Sequence, residues 1–325
     1  MSIDPQMTAQ AVAAVLSIPV VSAGVGKLLE TVAEQIALVM KPVHIRREAA
    51  AEADARVIKA IGDERVKLIK FEGKQFLESR KERAIERISR QAERRQANLE
   101  SIVTKAAHAV ADEVSPQPVD QDWLSQFFEY CQDVSNEEMQ LLWGKLLAGE
   151  VSRPGRFSFR TLATVKVMSR EDADLFTALC VASWAELDGG RIQILFPVAE
   201  FEVQELRLRL SLNFDELFRL EAMGLLKLLT NSSLSLTLES DSMLLRYGCT
   251  IYEVKRSPKY AERQAVPYQR GVDHAKTFPV GNIVLTDTGQ QLAAIAGDAP
   301  NQEYLNWILE LYKSDHWDFI PQSDG

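Results

Sequence analysis

The chain has 325 residues, 46% of them apolar, which is enough to bury a sizeable core and to form two or three domains. A formal net charge of −9 argues against a simple nucleic-acid binder. The sign is uneven, however, because residues 41–112 carry 17 basic and 12 acidic side chains, a local net of +5 that leaves −14 on the remainder. The composition therefore predicts a basic segment attached to acidic domains.

The N-terminal apolar run, from Pro5 to Gly26, contains no charged residue. It lacks the basic residues that precede the apolar part of a secretory signal, and Pro19 with many Ala and Ser residues argues against a membrane-spanning helix. Two interpretations stay open: a helical hairpin packed in the protein or on a partner, and peripheral contact with a membrane. The candidate partner or membrane contacts are Val12, Val15, Leu16, Val20 and Val21.

Residues 1–114 are predicted to be almost entirely helical. From Lys27 to Met40 the apolar residues recur every four positions, which predicts an amphipathic helix that Pro42 interrupts. From about His44 the chain is rich in Ala, Glu, Arg and Lys and predicts a long charged helix, on the order of 100 Å if it is continuous.

Part of this charged helix carries a narrow apolar seam, with alternating spacings of three and four residues. Such a seam is typical of a coiled coil or a helical hairpin. A rod this polar needs a partner, so we expect a homo-oligomer, with a protein partner as well. The seam residues are Ile85, Ile88, Ala92, Arg95, Leu99, Ile102 and Ala106.

A second helical segment, 115–168, follows two prolines. Asp120 marks the start of one helix, and Ser135 with Glu138 matches a capping box that starts the next. Pro154 and Gly155 predict a turn, and a further short helix follows. The residues predicted to be buried are Trp123, Leu124, Phe127, Phe128, Met139, Leu142, Trp143, Leu146 and Leu147.

The third segment, 169–325, mixes helices and strands. Ser169 and Asp172 cap a helix predicted to run to about Leu187 with Trp184 facing inward, and a helix over 213–223 precedes a hairpin. This order is similar to a winged helix. The predicted strands are Arg191–Phe196, Leu234–Leu238, about Met243–Val254 and Asn282–Leu285, with further helices over 201–211, from Thr286 and from Asn301.

The predicted fold class is therefore mainly α. An N-terminal helical hairpin and long charged helix (1–114) precede a helical middle (115–168) and a C-terminal winged-helix-like α+β domain (169–325).

Several sequence blocks carry a family resemblance. Asn98–Ile102, Asp122–Leu124, Ser135–Val151 and Ser158–Leu162 resemble an uncharacterised bacterial family, a domain of unknown function. The chain is more distantly similar to the abortive-infection alpha family, which is linked to defence against phage and shares a Trp…Leu-Leu-Ala…Glu helix. The resemblance covers about 95–190 well. It implies a bacterial cytoplasmic protein with a role in phage defence, and it implies no residue roles.

No arrangement of reactive residues predicts an enzyme. Ala23–Lys27 is only superficially like a phosphate-binding loop, because Val21 and Leu28 occupy positions that need Gly and Ser or Thr. The three cysteines are odd in number and far apart, so they form no disulfide framework, which favours a reducing cytoplasm. Neither they nor the four scattered histidines have metal-ligand spacing. Carboxylates near Asp120 and Glu137 fit helix N-termini better than acid–base chemistry. We therefore expect no catalytic residues, no cofactor and no metal.

Basic side chains of the charged helix form the candidate anion or nucleic-acid contacts. Interleaved glutamates at i,i+4 offer the competing interpretation of ordinary solvated ion pairs. The predicted recognition helix is acidic at Asp215 and Glu216, which disfavours entry into a DNA groove. The candidate residues are Arg80, Arg83, Arg87, Arg90, Arg94 and Arg95.

The sequence favours a non-enzymatic, oligomerising interaction protein that acts in bacterial phage defence. Such a protein is expected in the cytoplasm, with peripheral contact at the inner membrane as an open alternative. The alternative function is a nucleic-acid-associated regulator that uses the basic helix and the winged-helix-like domain.

Overall fold

A computed structural model defines the fold. It describes residues 13–14, 16–20, 22–33, 68–187, 193–195, 212–229, 234–238, 240–258, 277–296, 300–314 and 316–322, with only the backbone described at 68–79, 193–195 and 237. The chain divides into two compact units, Met1–Leu162 (unit 1) and Ala163–Gly325 (unit 2).

Among its described residues, unit 1 consists of helices joined by loops, with no strand. The long helix α2 has 42 residues and is about 60 Å long at 1.5 Å per residue. The part of the predicted rod from His44 to residue 67 lies outside the described residues. The helices are α1 (23–33), α2 (Leu68–Ala109), α3 (Gln121–Cys131), α4 (Glu137–Ser152) and α5 (Phe159–Val167), which contains the boundary with unit 2.

Aromatic residues form the centre of unit 1. The Phe127 ring lies 5.3 Å from both the Trp123 and Trp143 rings, stacked on the first and edge-on to the second. Such pairs add about 0.5–1.5 kcal/mol each beyond their area burial. The predicted buried residues of α3 and α4 are confirmed, except that Leu142 is only half-buried.

Helix caps in unit 1 follow the sequence closely, with one correction. Asp120 accepts a hydrogen bond from the Trp123 N–H and begins α3 as predicted. The predicted cap at Ser135 is wrong by one residue, because the Asn136 side chain accepts from the Met139 N–H. The Ser135 hydroxyl instead accepts from the side chain of Asn98, a contact between distant parts of the chain.

Unit 2 combines helices with antiparallel strands. Its seven-stranded sheet has the order β3-β8-β2-β1-β5-β6-β9, and β4 pairs with β7 in a second sheet. The helices are α6 (Arg170–Cys180), α7 (Phe214–Ala222), α8 (Asp287–Ala296) and α9 (Gln302–Ser314). The strands are β1 (Trp184–Glu186), β2 (Gln193–Leu195), β3 (Leu226–Leu228), β4 (Leu234–Thr237), β5 (Ser242–Tyr247), β6 (Thr250–Arg256), β7 (Thr277–Gly281), β8 (Ile283–Leu285) and β9 (Trp317–Pro321).

The core of unit 2 is aromatic where α9 covers the sheet. Trp184 of β1 stacks on Tyr247 of β5 at 4.8 Å, and Trp317 of β9 meets Phe278 edge-on at 5.0 Å. The buried hydroxyl of Tyr304 donates to the carbonyl of Ala182, which ties α9 to the end of α6. These contacts join residues far apart in the sequence into one layer.

The predicted fold class is wrong. The structure is α+β with extensive antiparallel sheet, not mainly α with a winged-helix domain. The stretch predicted as one strand, about Met243–Val254, is instead a hairpin of β5 and β6, which pairs with β1 on one side and β9 on the other. The predicted strand Leu234–Leu238 exists as β4 and pairs with the distant β7. Strand pairing between distant segments depends on tertiary packing, and a local pattern of helices and a hairpin does not reveal it.

The helix predicted from Ser169 to Leu187 is too long. Its capping box is confirmed, since the Ser169 hydroxyl accepts from the Asp172 N–H while the Asp172 carboxylate accepts from the Ser169 N–H. The helix ends at Cys180, and Trp184, predicted to be helical, lies in β1. Pairing of β1 with β2 and β5 outweighs local helix propensity there.

Candidate interaction surface

The long helix α2 has a buried and an exposed half. From Asn98 onward it packs on α4, and a β-carbon at Gly144 of α4 would lie only 2.9 Å from the Lys105 Cβ and 3.2 Å from the Ile102 carbonyl oxygen. Glycine therefore permits a close approach of the two helices. The buried apolar residues of this half are Leu99, Ile102, Val103 and Ala106.

Two buried amides set the register of α2 on α4. The Asn98 side chain donates to the Gln132 carbonyl at 2.9 Å, and the Gln140 side chain donates to the Val134 carbonyl at 2.9 Å and to the Asn98 Oδ1 at 3.3 Å. A sliding movement along α2 would leave these groups unpaired, at a cost of about 1–3 kcal/mol each.

Residues 80–97 of α2, its exposed half, carry the rest of the same seam, in which Ala92 and Arg95 are half-buried. Ile85 is 59% exposed and Ile88 is 44% exposed. At about 100° per residue, both isoleucines and the buried Leu99 fall within an arc of about 60°. The face that packs on α4 therefore continues toward the N-terminus as an uncovered apolar stripe.

Arginines occupy the opposite side of this exposed half. Counting about 100° per residue, five of the six candidate arginines lie within an arc of about 80° that is centred away from the apolar stripe. The sixth, Arg95, lies near the stripe instead. The five are Arg80, Arg83, Arg87, Arg90 and Arg94, and all five are exposed.

Two of the candidate arginines are occupied within the chain. Arg95 binds Asp133 with two hydrogen bonds, from Nε at 2.9 Å and Nη2 at 2.7 Å, and Arg94 adds a third at 3.2 Å. The hydrogen bond from Arg95 lowers the pKa of Asp133, and the same bond raises the pKa of Arg95. These two side chains hold the α3–α4 connection against α2.

Arg90 pairs with Glu86 one helical turn away. This is the i,i+4 pairing that competes with phosphate contact in the sequence interpretation. Arg83 and Arg87 point to solvent from the same arc. Any anion contact on α2 is therefore expected at Arg83 and Arg87 rather than at the C-terminal pair.

The N-terminal apolar run is partly built into unit 1. Val12, Val15 and Val21 lie outside the described residues, Leu16 is half-buried and Val20 is 55% exposed. The following helix α1 buries its apolar residues fully. These are Leu28, Leu29 and Val32, and the predicted Ile36 and Met40 lie outside the described residues.

Lys27 has a structural role. Its ammonium group donates to the carbonyl oxygens of Ser115, Gln117 (2.6 Å) and Val151 (3.2 Å). Burial lowers the pKa of Lys27. The lysine that invited a phosphate-loop interpretation therefore ties α1 to the C-terminal end of α4 and to the loop after α2.

Glu150 is a buried carboxylate that organises the turn after α4. It accepts hydrogen bonds from the backbone N–H groups of Gly155 at 2.6 Å and Phe157 at 2.9 Å. Burial raises the pKa of Glu150, and these hydrogen bonds oppose the shift. This site was missed by sequence reasoning, because a glutamate inside a helix is ordinarily solvated.

Unit 2 exposes an aromatic pair that the sequence analysis also missed. Phe214 and Phe218 of α7 are 57% and 52% exposed, with ring centroids 6.3 Å apart, while Leu217 and Leu220 on the other face are fully buried. Their i,i+4 spacing beside that apolar pair is the signal in the sequence.

Polar side chains between α6 and α7 are engaged with one another. Asp172 accepts from the Ser169 hydroxyl at 2.7 Å and pairs with Arg219 at 2.5 Å. Burial alone would raise the pKa of Asp172, but these hydrogen bonds and the guanidinium lower it. The cluster connects two helices and holds its carboxylate ionised.

Within the described ranges, no three His, Cys, Asp or Glu side chains are grouped to hold a metal ion. Two of the four histidines, His44 and His274, lie outside these ranges. At the end of β6, Lys255 lies 3.8 Å from Glu253, and Arg256 stacks over the Trp317 ring at 4.0 Å. No described helix is long and apolar enough to cross a membrane.

The fold and this surface define a two-unit α+β protein with a half-exposed basic helix. The chain belongs to the family described as "Protein of unknown function (DUF2806)", whose model matches residues 82–309. The predicted resemblance to an uncharacterised domain of unknown function is thereby confirmed. The chain has no significant match among curated proteins or solved structures.

Proposed function

We propose that the chain is a non-enzymatic interaction protein that self-associates through the exposed half of α2. The observation that carries the proposal is the uncovered stripe of Ile85 and Ile88, which continues the face that Leu99 buries against α4. Exposed apolar stripes on helices are commonly covered by another helix.

The proposal that the protein is not an enzyme and needs no cofactor rests on how its reactive groups are used. Asp120 and Asp172 cap helices, and Glu150 holds a turn. Burial raises the pKa of the Cys131 and Cys180 thiols, which disfavours the reactive thiolate.

Size-exclusion chromatography with light scattering tests self-association of the full chain. Wild-type protein is expected to run as an oligomer, and Ile85→Gln/Ile88→Gln as a monomer with unchanged helical circular dichroism. Leu141→Gln is the matched control, since Leu141 of α4 is 44% exposed, as Ile88 is. A wild-type chain that is monomeric at every concentration refutes the proposal.

We extend the proposal to phage defence in a bacterial cytoplasm, which rests on the sequence resemblance alone. The test is the efficiency of plating of phages on bacteria that express the wild type or Ile85→Gln/Ile88→Gln. Protection that is lost in the double variant supports it, and equal plating with and without the wild type contradicts it.

Peripheral contact with the inner membrane is part of the same proposal. Val20, 55% exposed, supports it. Deleting the N-terminus would remove Lys27 and the buried Leu28, so a point substitution is the cleaner test. In a flotation assay with vesicles of anionic lipid, a larger fraction of the wild type than of Val20→Gln is expected to float with the vesicles. Equal fractions contradict the membrane contact.

A second candidate function, binding of nucleic acid, is favoured by the exposed arginine arc of α2. Arg83 and Arg87 are two of its exposed members. Counterion release would make such binding weaken steeply with salt. A gel-shift assay at low and high salt tests it, with Arg83→Gln/Arg87→Gln as the variant. Absence of a shift at low salt removes this function.

A further inference from the structure

The connection between α4 and α5 is rich in arginine. Residues 151–162, all of which belong to unit 1, contain three basic side chains and no acidic one. The three are Arg153, Arg156 and Arg160, and we call residues 153–160 the arginine turn. On α2, by contrast, the arginines alternate with glutamates, and Arg90 pairs with Glu86. The sequence of the arginine turn thus supplies positive charge without neighbouring carboxylates to pair with it.

A buried carboxylate holds the arginine turn in one conformation. Glu150 accepts hydrogen bonds from the backbone N–H groups of Gly155 at 2.6 Å and Phe157 at 2.9 Å. The Arg156 N–H donates to the Arg153 carbonyl at 3.2 Å, and Gly155 has a φ of 83°, as in a tight turn. The first and last α-carbons of such a turn are less than about 7 Å apart. Two arginines are therefore held side by side.

The three arginines differ in how they are engaged. The half-buried Arg156 guanidinium lies 5.3 Å from the centre of the Phe157 ring. Burial and then the nearby charge of Arg153 lower the pKa of Arg156, and the charge of Glu150 opposes both. Arg153 and Arg160 are exposed, and among the described residues neither forms an ion pair or a side-chain hydrogen bond. An anion beside Arg153 would relieve its repulsion with Arg156.

An exposed aromatic ring lies next to one of these unpaired charges in the chain. Phe159, the first residue of α5, is 46% exposed, whereas Phe157 is 2% exposed and packs against Gly149. Phe157 therefore anchors the turn, and Phe159 is available for contact. Four residues of chain span at most about 14 Å, so a short ligand that meets Arg156 also reaches Arg160.

We propose that the arginine turn binds single-stranded nucleic acid, with Arg153 and Arg160 on backbone phosphates and Phe159 stacked on a base. Proteins that bind single strands combine cationic groups along the backbone with aromatic rings on which bases stack. An acidic peptide offers carboxylates to the arginines, whereas every nucleotide offers both a phosphate and a flat base. The inference rests on the second candidate function for its class of ligand, and it assigns the contact to a surface other than α2.

Fluorescence anisotropy with the full-length protein and a labelled dT strand of about 15 nucleotides tests the phosphate contacts. In Arg153→Gln/Arg160→Gln, the slope of log K against log salt is expected to become shallower by about 1.4, since each phosphate contact on a single strand contributes about 0.7. Lys227→Gln/Lys313→Gln is the matched control, because it removes the same charge from two exposed positions of unit 2. This control is expected to keep the wild-type slope.

Substitution of Phe159 tests stacking apart from charge. Phe159→Leu is expected to bind the dT strand at least about fivefold more weakly, the fold-change that corresponds to about 1 kcal/mol for one stacked base. Phe159→Tyr keeps an aromatic ring and is expected to bind like the wild type. An abasic strand of the same length keeps the phosphates, so wild type and Phe159→Leu are expected to bind it equally. Equal loss on both strands contradicts stacking.

The outcomes separate this inference from the second candidate function. A wild type that does not bind the dT strand at low salt overturns both. Binding that is lost in Arg83→Gln/Arg87→Gln but kept in Arg153→Gln/Arg160→Gln leaves a nucleic-acid function on α2 and overturns the arginine turn. Binding of polyglutamate or anionic vesicles that depends on the arginine turn, with dT binding unchanged in its variants, also overturns it.

Circular dichroism and thermal melting check that the variants are folded, as expected for exposed positions. If the double arginine variant does not fold, the comparison of dT and abasic strands at Phe159 decides the outcome.

Discussion

The half-buried Lys27 and the buried Glu150 show how single charges are accommodated in unit 1. Lys27 donates to three backbone carbonyls, and Glu150 accepts from backbone N–H groups of the turn that follows α4. Each charge thus interacts directly with polar groups of the main chain. Both residues therefore fix main-chain segments.

The raised pKa of Glu150 makes a pH-dependent prediction. A carboxyl group with a higher pKa in the folded chain stabilises the fold most below its unfolded pKa, and this contribution is lost as pH rises through the folded pKa. The unfolding free energy of the wild type minus that of Glu150→Gln is therefore expected to increase as pH falls from about 7 to about 4.3, the ordinary glutamate pKa. Urea unfolding at several pH values measures it; a difference that shrinks on acidification contradicts the burial argument.

Sequence reasoning at the residue scale succeeded where a local rule applied. Asp120 and the Ser169–Asp172 box are N-terminal caps whose partners lie within three residues. It failed by one residue at Ser135, whose hydroxyl is engaged by Asn98, 37 positions away. Contacts of that range are invisible to a local pattern.

The α2–α4 pair is the main helix contact of unit 1 at the scale of elements. The seam residues Leu99, Ile102 and Ala106 are buried as the heptad-like spacing predicts, whereas Ile85 and Ile88 are exposed. The spacing identifies the buried face correctly, but it does not indicate how much of that face is covered.

Gly144 allows that contact, and its substitution tests it. A β-carbon there would meet the Lys105 Cβ at 2.9 Å and the Ala106 amide nitrogen at 3.1 Å. Overpacking costs about 1–3 kcal/mol, and the gain in helix propensity returns up to about 1 kcal/mol. Gly144→Ala is therefore expected to lose about 1–2 kcal/mol of unfolding free energy in denaturant titrations.

The matched control is Gly26→Ala in α1. Its β-carbon would lie 3.8 Å from the nearest neighbour, the Val20 Cγ1, an ordinary contact. This change is expected to be neutral or to stabilise by up to about 1 kcal/mol. Equal stabilisation by Gly144→Ala would mean that the helices do not approach as closely as described.

The whole molecule consists of two units with separate cores. Leu147 is fully buried in unit 1 and Leu245 is fully buried in unit 2. Each core closes around its own aromatic residues, Trp143 in the first and Trp184 with Trp317 in the second. Separate cores predict separate unfolding transitions.

Hydrogen exchange measures that independence. Leu147→Ala is expected to remove about 2–5 kcal/mol from unit 1 and to speed exchange in α4 and the C-terminal half of α2, with β5 and β6 unchanged. Leu245→Ala is the reciprocal variant and is expected to affect only unit 2. Equal acceleration in both units after either substitution would show one cooperative unit.

The sequence by itself determined the helices of unit 1, most caps and the uneven charge, because propensity, capping and periodicity act within a few residues. Tertiary structure alone decided that unit 2 is a seven-stranded antiparallel sheet, and that Arg94 and Arg95 bind Asp133 while Ile85 and Phe214 stay exposed. Those outcomes depend on which distant segments meet, and the free energy of such meetings comes from burial and pairing across the fold rather than from local preference.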